Sequence, residues 1–343
     1  MCDEATVRGP LEMMRCLVML DTRYPKVWDE VIESISKNER VMVIGGTDRG
    51  KSTFSIYASM RKDMPLLDAD IGQATVPPPT VVKLSEDRIS IKRGFFVGAT
   101  TPVRNFLAYI LGMYVVSREF GGMIIDTCGL VRGSHGFWLK LTEAMILNPD
   151  LIIAMSRGGD LDHILPAIED FLGKEVLDIG ASPYARRRSM VERYERRKMK
   201  FKMYFGDGKT ISIREPRILS FPKKWNVSPS LLAAVTSSSV KRASVINDTL
   251  YLICKEYCRG VRALRSLYNV REYTIVSERN VKNLLVGLYS GDEFLGVGIV
   301  ESFDEDSLEF IVYVSDRFDE DKKVTSIQLG SIKLNKECDE IRR

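Results

Sequence analysis

The run "VMVIGGTDRGKST", residues 41 to 53, constrains this chain more than any other. Its apolar start, Val41 to Ile44, reads as a buried strand. The next eight letters, "GGTDRGKS", fit G-x-x-x-x-G-K-[ST], and a helix is expected from about 51 to 62. That strand, loop and helix order is what a phosphate-cradling loop requires. Its glycines turn backbone amides toward phosphate oxygens, and the helix N-terminus adds positive potential. Gly45, Gly46, Thr47, Asp48, Arg49, Gly50, Lys51, Ser52 and Thr53 are therefore the expected nucleotide cradle. Lys51 reaches the terminal phosphates and Ser52 ligates Mg2+. With glycine near 7% of residues, a chance match is on the order of one in a hundred, before the flanking strand and helix are counted.

Such a loop does not name a reaction. GTPases, motor ATPases, partition ATPases and small kinases share it. The chain has no N-K-x-D, which weakens a guanine-reading GTPase, and no lysine ahead of the loop glycines, which speaks against the partition type. Around the loop, the pattern alternates. Residues 10–38 read as helical, 64–70 as a strand, 89–97 as a strand, 102–118 as a long apolar helix and 122–129 as a buried strand. A helix over 135–147 and a strand over 150–156 follow. Apolar strands alternating with helices imply an α/β fold whose parallel sheet is covered on both faces. Residues 183–203 form a charged helical stretch. From 209 the chain turns β-rich, with "SGDEF" and "DRFDEDKK" as connections between antiparallel strands and helices expected within 227–265.

At 343 residues the chain is long for one core. The expected division is an N-terminal helical segment 1–38, a P-loop domain 39–206 that includes the lid 183–203, and a β-rich C-terminal domain 207–343. A net charge of +4 decides nothing about partners, so local clusters must. The six cysteines form no C-x-x-C pair and read as reduced thiols, with Cys254 and Cys258 spaced for one helix face. "MCDEATVRGP" is not a secretory signal, and the longest apolar stretch, 106–116, is too short to span a membrane. An intracellular, cytoplasmic protein without membrane contact is expected, nuclear if its source is eukaryotic.

Three further stretches carry chemistry. In "LLDADIGQ", Asp68 and Asp70 stand two apart at a strand end, the ligand edge of a parallel sheet. A carboxylate there can take a proton from an attacking hydroxyl or hold Mg2+, and Gln73 can bind phosphate or water. "IIDTCG" ends a strand in Asp126, a second magnesium-side position. Between Arg186 and Lys202 nine Lys or Arg face two Glu. An arginine helix of this kind can close over a moving phosphoryl group, follow a polynucleotide backbone, or simply be a solvated face.

Taken together, these stretches resemble the polynucleotide 5'-hydroxyl kinase family, the P-loop RNA kinases of pre-mRNA cleavage, tRNA splicing and ribosomal-RNA processing. "GGTDRGKST" is similar to its phosphate loop, and "DADIGQ" to its D-x-G-Q segment. "FVGATTPVRN" (96–105) is similar to its substrate clasp, and "RSMVERYERR" (188–197) to its lid. "DTCGLVRGSHG" (126–136) and the β-rich end "NLLVGLYSGDEFLGVGI" also correspond. The resemblance implies an ATP- and Mg2+-dependent transfer of the γ-phosphate to the 5'-hydroxyl end of RNA, with DNA open as a second acceptor. It makes Asp70 the general base. It makes Lys51, Arg188, Arg193 and Arg197 the groups on the moving phosphoryl, and Gln73, Thr101, Pro102 and Asn105 the substrate contacts. Ser52, Asp70 and Asp126 become the metal set. It also implies RNA-processing protein partners. A non-catalytic ATP-binding scaffold subunit of an RNA-processing complex is the alternative, and an ATPase driving a partner is a third reading.

The chain departs from the family at three points. Residues 1–38 are too short for the β-domain that larger relatives carry in front, as in a compact archaeal-type member. Leu130 stands where the family often has a base-stacking Trp, so Trp138 is either its replacement or a core residue. Asp126 stands where several relatives have Asn.

Overall fold

The computed structural model describes residues 24–236, 239–255 and 260–341. The chain divides between Tyr204 and Phe205 into two compact units. In the first, β1 (Arg40–Ile44) is an inner strand of a seven-stranded sheet, next to the central one. Its strands are β2 (Leu66–Asp68), β3 (Val81–Ser85), β4 (Arg93–Phe96), β5 (Met123–Asp126), β6 (Leu151–Ala154) and β7 (Glu175–Asp178), in the order β4-β3-β2-β5-β1-β6-β7. β2, β5, β1, β6 and β7 run parallel.

The β1 side chains alternate between two cores, as strand geometry dictates. Val41 and Val43 pack with Trp28, Ile32, Phe54 and Ala58, from the helices Lys26–Ser34 and Lys51–Lys62. Met42 and Ile44 pack on the other face with Tyr109, Met113, Leu139 and Ala144, from the helices Phe106–Ser117 and Gly133–Leu147. Both sheet faces are covered, and because these five strands run parallel the loops that follow them lie at one edge.

The sheet is not purely parallel. β3, unforeseen in the sequence, pairs antiparallel with β2, and β4 pairs antiparallel with β3. The expected strand over 89–97 is only Arg93–Phe96. Asp87 organises the turn before it, its Oδ1 accepting from Ile89 N (2.8 Å) and Ser90 N (2.7 Å). The helix expected over 102–118 begins at Phe106. Residues 102–104 form a 3-10 turn, and Asn105 sits at φ −151° with its Nδ2 donating to Val97 O at 2.9 Å. β7 also escaped sequence reading, being four residues with mostly exposed side chains.

Near the start of the chain, the helix within the described residues runs Lys26–Ser34 and Ile35 turns extended. The helix expected over residues 10–23 lies outside the described residues. The lid helix spans Met190–Phe205, so residues 183–189 are not helical. A capping box sets that start: Glu192 N donates to Ser189 Oγ (3.1 Å) and Ser189 N to Glu192 Oε2 (2.7 Å).

The second unit is built on a six-stranded sheet, β8-β15-β14-β13-β16-β9, comprising Lys209–Arg214, Glu309–Val314, Glu293–Asp304, Leu284–Ser290, Ser326–Lys333 and Arg217–Ile218. Its pairs are antiparallel except β16–β9. "SGDEF" is the β13–β14 hairpin turn. "DRFDEDKK" instead joins strands that have β14 and β13 between them. Helices do occur at Pro229–Thr236 and Val261–Leu267, but β10 (Val240–Ile246) and β11 (Thr249–Cys254) intervene as a hairpin turning at Asn247, whose φ is 54°. Cys254 therefore ends a strand rather than sharing a helix face with Cys258, which lies outside the described residues. Among the described residues, no helix is long and apolar enough to cross a membrane.

Candidate active site

The loop between β1 and the helix Lys51–Lys62 takes the expected form, with Gly50 at φ 100° as the helix N-cap. Lys51 is buried, and its Nζ donates to Gly46 O at 2.9 Å. Burial lowers the Lys51 pKa, against the opposing charges of Asp126 and Asp70. Those two carboxylates thus lie within electrostatic reach of the loop lysine. The other loops at the sheet edge close around it. Gly129, just after β5, approaches so closely that a Cβ there would lie 2.6 Å from Thr47 Cγ2. Arg49 is held by Asp160 of the loop after β6, at 2.7 Å, and its carbonyl accepts from Ser182 N, after β7, at 2.9 Å.

The two aspartates at the end of β2 have separate tasks. Asp68 is fully buried against Lys83, 3.4 Å away, and accepts from Val76 N at 2.8 Å. It braces the turn that follows. Asp70 lies beyond the strand and is half-buried. Its Oδ1 accepts from Gly72 N (3.0 Å) and Gln73 N (2.9 Å), and among the described residues nothing bonds its Oδ2. Gly72 is required here by contact: a Cβ would sit 2.5 Å from Thr100 O, so the turn carrying Asp70 lies directly against the segment that carries Thr101 and Pro102.

Asp126 pairs in register with both Val43 and Asp68, which sets it between the phosphate loop and the Asp70 turn. Its Oδ2 accepts from Thr75 Oγ1 at 3.1 Å. Its Oδ1 is buried with no hydrogen-bond partner of good geometry. Burial, then the charge of Asp68, pushes its pKa up to about 7, while Lys51 and the nearby Ser52 hydroxyl pull it down. An orphaned carboxylate oxygen beside a hydroxyl is a fitting donor set for a hard divalent cation such as Mg2+.

The lid meets the loop through one acidic residue. Asp48 accepts from Arg188 N (3.0 Å) and Arg193 Nη2 (2.5 Å), and Arg188 Nη1 lies 3.6 Å from it. Arg197 lies elsewhere, beside Gln73 in a narrow cleft with Arg196 and Lys200. Gln73 Nε2 donates to Arg193 O at 3.2 Å, joining the Asp70 turn to the lid helix. Thus Lys51, Ser52, Asp70, Asp126, Arg188 and Arg193 converge on the loop, while Arg197 and Gln73 line a cleft beside it.

Sequence reading missed Thr75, Lys83, Asp160, Arg196 and Lys200, and it missed a buried trio. In that trio Lys140 Nζ donates to Glu143 Oε2 (2.8 Å) and Cys128 O (2.7 Å), and Tyr109 OH lies 2.8 Å from Glu143 Oε1 and 3.0 Å from Ala69 O. Only Arg196 and Lys200 had a signal, being four apart within the counted cation run. Trp138 is 60% exposed with its ring edge-on to Phe137, so it is not a core residue.

Residues 45–207 match the family model described as mRNA cleavage and polyadenylation factor CLP1 P-loop. Over 339 aligned residues the chain is 27% identical to a polyribonucleotide 5'-hydroxyl-kinase of Pyrococcus abyssi, covering 91% of this chain and 92% of that one. It is 25% identical to the corresponding protein of Methanocaldococcus jannaschii, covering 90% and 91%. With the polyribonucleotide 5'-hydroxyl-kinase Clp1 of Danio rerio it shares 29% identity over 148 residues, 35% of this chain and 33% of that one. Among solved structures, Clp1p in its complex with Pcf11p superimposes with a TM-score of 0.58 at 12% identity, covering 94% of this chain and 79% of that one, a likeness of fold.

Proposed function

We propose that this chain, whose residues 45–207 match the CLP1 P-loop family model, is an ATP-dependent polynucleotide 5'-hydroxyl kinase that phosphorylates RNA ends. One observation carries the reading. A carboxylate with an uncommitted oxygen, Asp70, stands within electrostatic reach of the loop lysine, in a turn whose Gly72 lies directly against the Thr100 carbonyl. In-line phosphoryl transfer needs a group that orients and deprotonates the nucleophile, and a carboxylate next to a segment able to grip an acceptor end suits a hydroxyl nucleophile rather than water.

In the proposed reaction the loop 45–53 holds ATP and Lys51 leaves the Gly46 carbonyl for the terminal phosphates. Thr101, Pro102 and Asn105 hold the acceptor end, and Asp70 Oδ2 takes the 5'-hydroxyl proton as that oxygen attacks the γ-phosphorus. The bond from the γ-phosphorus to the β–γ bridging oxygen breaks and ADP departs. Arg188 and Arg193 exchange Asp48 for the equatorial phosphoryl oxygens, where charge is spread, and Arg197 approaches from the cleft side. Ser52 and Asp126 would hold Mg2+, which would supply neutralisation of phosphate charge. Relatives across nine-tenths of the chain that carry the kinase name support this reading.

The test is label transfer from γ-labelled ATP to a short single-stranded RNA bearing a 5'-hydroxyl or a 5'-phosphate. Wild type should label only the 5'-hydroxyl RNA. Lys51→Ala and Asp70→Asn should each lower turnover by at least ~100-fold with the melting temperature retained. Tight ATP binding without any transfer would instead support the scaffold reading, and near-normal rates in Asp70→Asn would remove its assignment as base.

A further inference from the structure

Tyr109, Lys140 and Glu143 are wholly buried, and two of the three carry charge. A lysine and a carboxylate brought together out of water give little net stability, and an apolar pair of similar volume often serves a core as well. The cluster therefore asks for a reason beyond packing, and its contacts supply one. Glu143 Oε2 is taken by Lys140 Nζ at 2.8 Å, and its Oε1 lies 2.8 Å from the Tyr109 hydroxyl. That hydroxyl also lies 3.0 Å from Ala69 O. Ala69 O belongs to the peptide whose other edge is the Asp70 N–H, and a peptide is a rigid plane. The Asp70 N–H meets Asp68 Oδ1 at 3.2 Å, and Ala69 N donates to Asp126 O at 2.9 Å. The backbone entering Asp70 is thus pinned at three points. Two of them come from β2 and β5, and the third, Tyr109, comes from a helix on the sheet face.

We propose that Tyr109 is a positioning residue for Asp70: its hydroxyl, set by Glu143 and Lys140, holds the Ala69–Asp70 peptide at the angle from which the carboxylate addresses the acceptor. The inference rests on the kinase reading for the task of Asp70 and deepens it by naming what keeps that carboxylate in place. Two further contacts support it. Tyr109 N donates to Asn105 O at 3.0 Å, in the first turn of the helix that follows Thr101 and Pro102, so one residue joins the acceptor segment to the Asp70 turn. Lys140 Nζ donates to Cys128 O at 2.7 Å, two residues beyond Asp126, so the same cluster steadies the loop that leaves β5. Burial, then the charge of Glu143, holds the Tyr109 pKa well above its ordinary value, so the donor proton is present at any assay pH. A catalytic group has to be held within about 0.5 Å of its productive place, and side chains locked behind it supply that precision.

The experiment is a double-mutant cycle of Tyr109→Phe and Asp70→Asn. Single-turnover transfer to a 5'-hydroxyl oligoribonucleotide is measured for the four proteins at saturating ATP and RNA, well below their melting temperatures. Tyr109→Phe should lower the rate by about 10- to 100-fold, the upper end being what a displacement of about 1 Å costs, and leave KM for ATP unchanged. In the Asp70→Asn background the same change should cost less than about 2-fold, the scatter of independent effects. Equal losses in the two backgrounds would make Tyr109 a merely structural residue, overturning the inference and leaving the kinase reading standing. So would an unchanged rate in Tyr109→Phe. Amide hydrogen exchange keeps the two readings apart. Tyr109→Phe should hasten exchange over residues 66–74 while residues 45–53 keep their wild-type protection. If wild type transfers no phosphate but that local change is seen, the pinning of Asp70 holds and the kinase reading fails. Neither transfer nor a change in exchange would remove both.

Discussion

Lys140→Met should be far more damaging than the loss of a single ion pair suggests. Lys140 and Glu143 face each other at 2.8 Å with both side chains at 0% exposure. Removing the lysine leaves Glu143 as an unpaired buried charge and strips Cys128 O of its donor. Breaking one partner of such a pair costs about 3–5 kcal/mol, whereas an exposed pair is worth about 1 kcal/mol at most. For a unit of roughly 200 residues that lowers the melting temperature by about 6–20 °C. Lys140→Met combined with Glu143→Leu removes the stranded charge. It also frees the Tyr109 hydroxyl to donate to Ala69 O alone, leaving chiefly the bare Cys128 carbonyl, at about 1–3 kcal/mol. Scanning calorimetry on wild type, both single mutants and the double mutant completes the cycle. The double mutant should melt above Lys140→Met. If it melts as low or lower, the stranded charge is not what the pair's loss exposes. If Lys140→Met costs less than ~0.5 kcal/mol, water reaches the pair and its burial is not real.

Two further outcomes are expected. Asp126 is raised to about 7, so between its unfolded pKa and about 7 the free protein holds a proton there that the unfolded chain does not. Metal-free stability should therefore fall as pH rises through that window, and the Mg2+ concentration needed for half-maximal activity should rise as pH falls below about 7. Asp126→Asn should flatten both, and a Mg2+ requirement indifferent to pH would remove Asp126 as a ligand. Ser189→Ala should cost about 0.5–2 kcal/mol by removing the lid's cap, read by denaturant titration. An unchanged midpoint would mean that the box does not set the helix start.

The phosphate loop was legible in the sequence because its strand, turn and helix N-terminus are contiguous, and each acts over only a few residues. So was the hairpin at Ser290–Glu293. The lid start at Ser189 was encoded just as locally, in the Ser189 and Glu192 pair, yet the long charge run obscured it. β3 was hidden because "VPPPT" reads as a break, while the neighbours that bury Val81 to Ser85 on both sides come from elsewhere in the chain.

What the sequence by itself determined was the inventory: a loop able to hold phosphate, a carboxylate-bearing turn, a cation-rich helix and a β-rich end. Only the tertiary structure decided which of these groups answer one another. Thr75 reaches Asp126 across 51 positions, Arg49 reaches Asp160 across 111, and Lys200 reaches Thr75 across 125. It separated Asp68, neutralised by Lys83, from Asp70, left with an open oxygen. The physical reason is range. Periodicity, caps and turns are settled within one or two turns of backbone. Which side chain meets which depends on the order of strands in the sheet, and a buried charge takes whatever partner that order brings within reach.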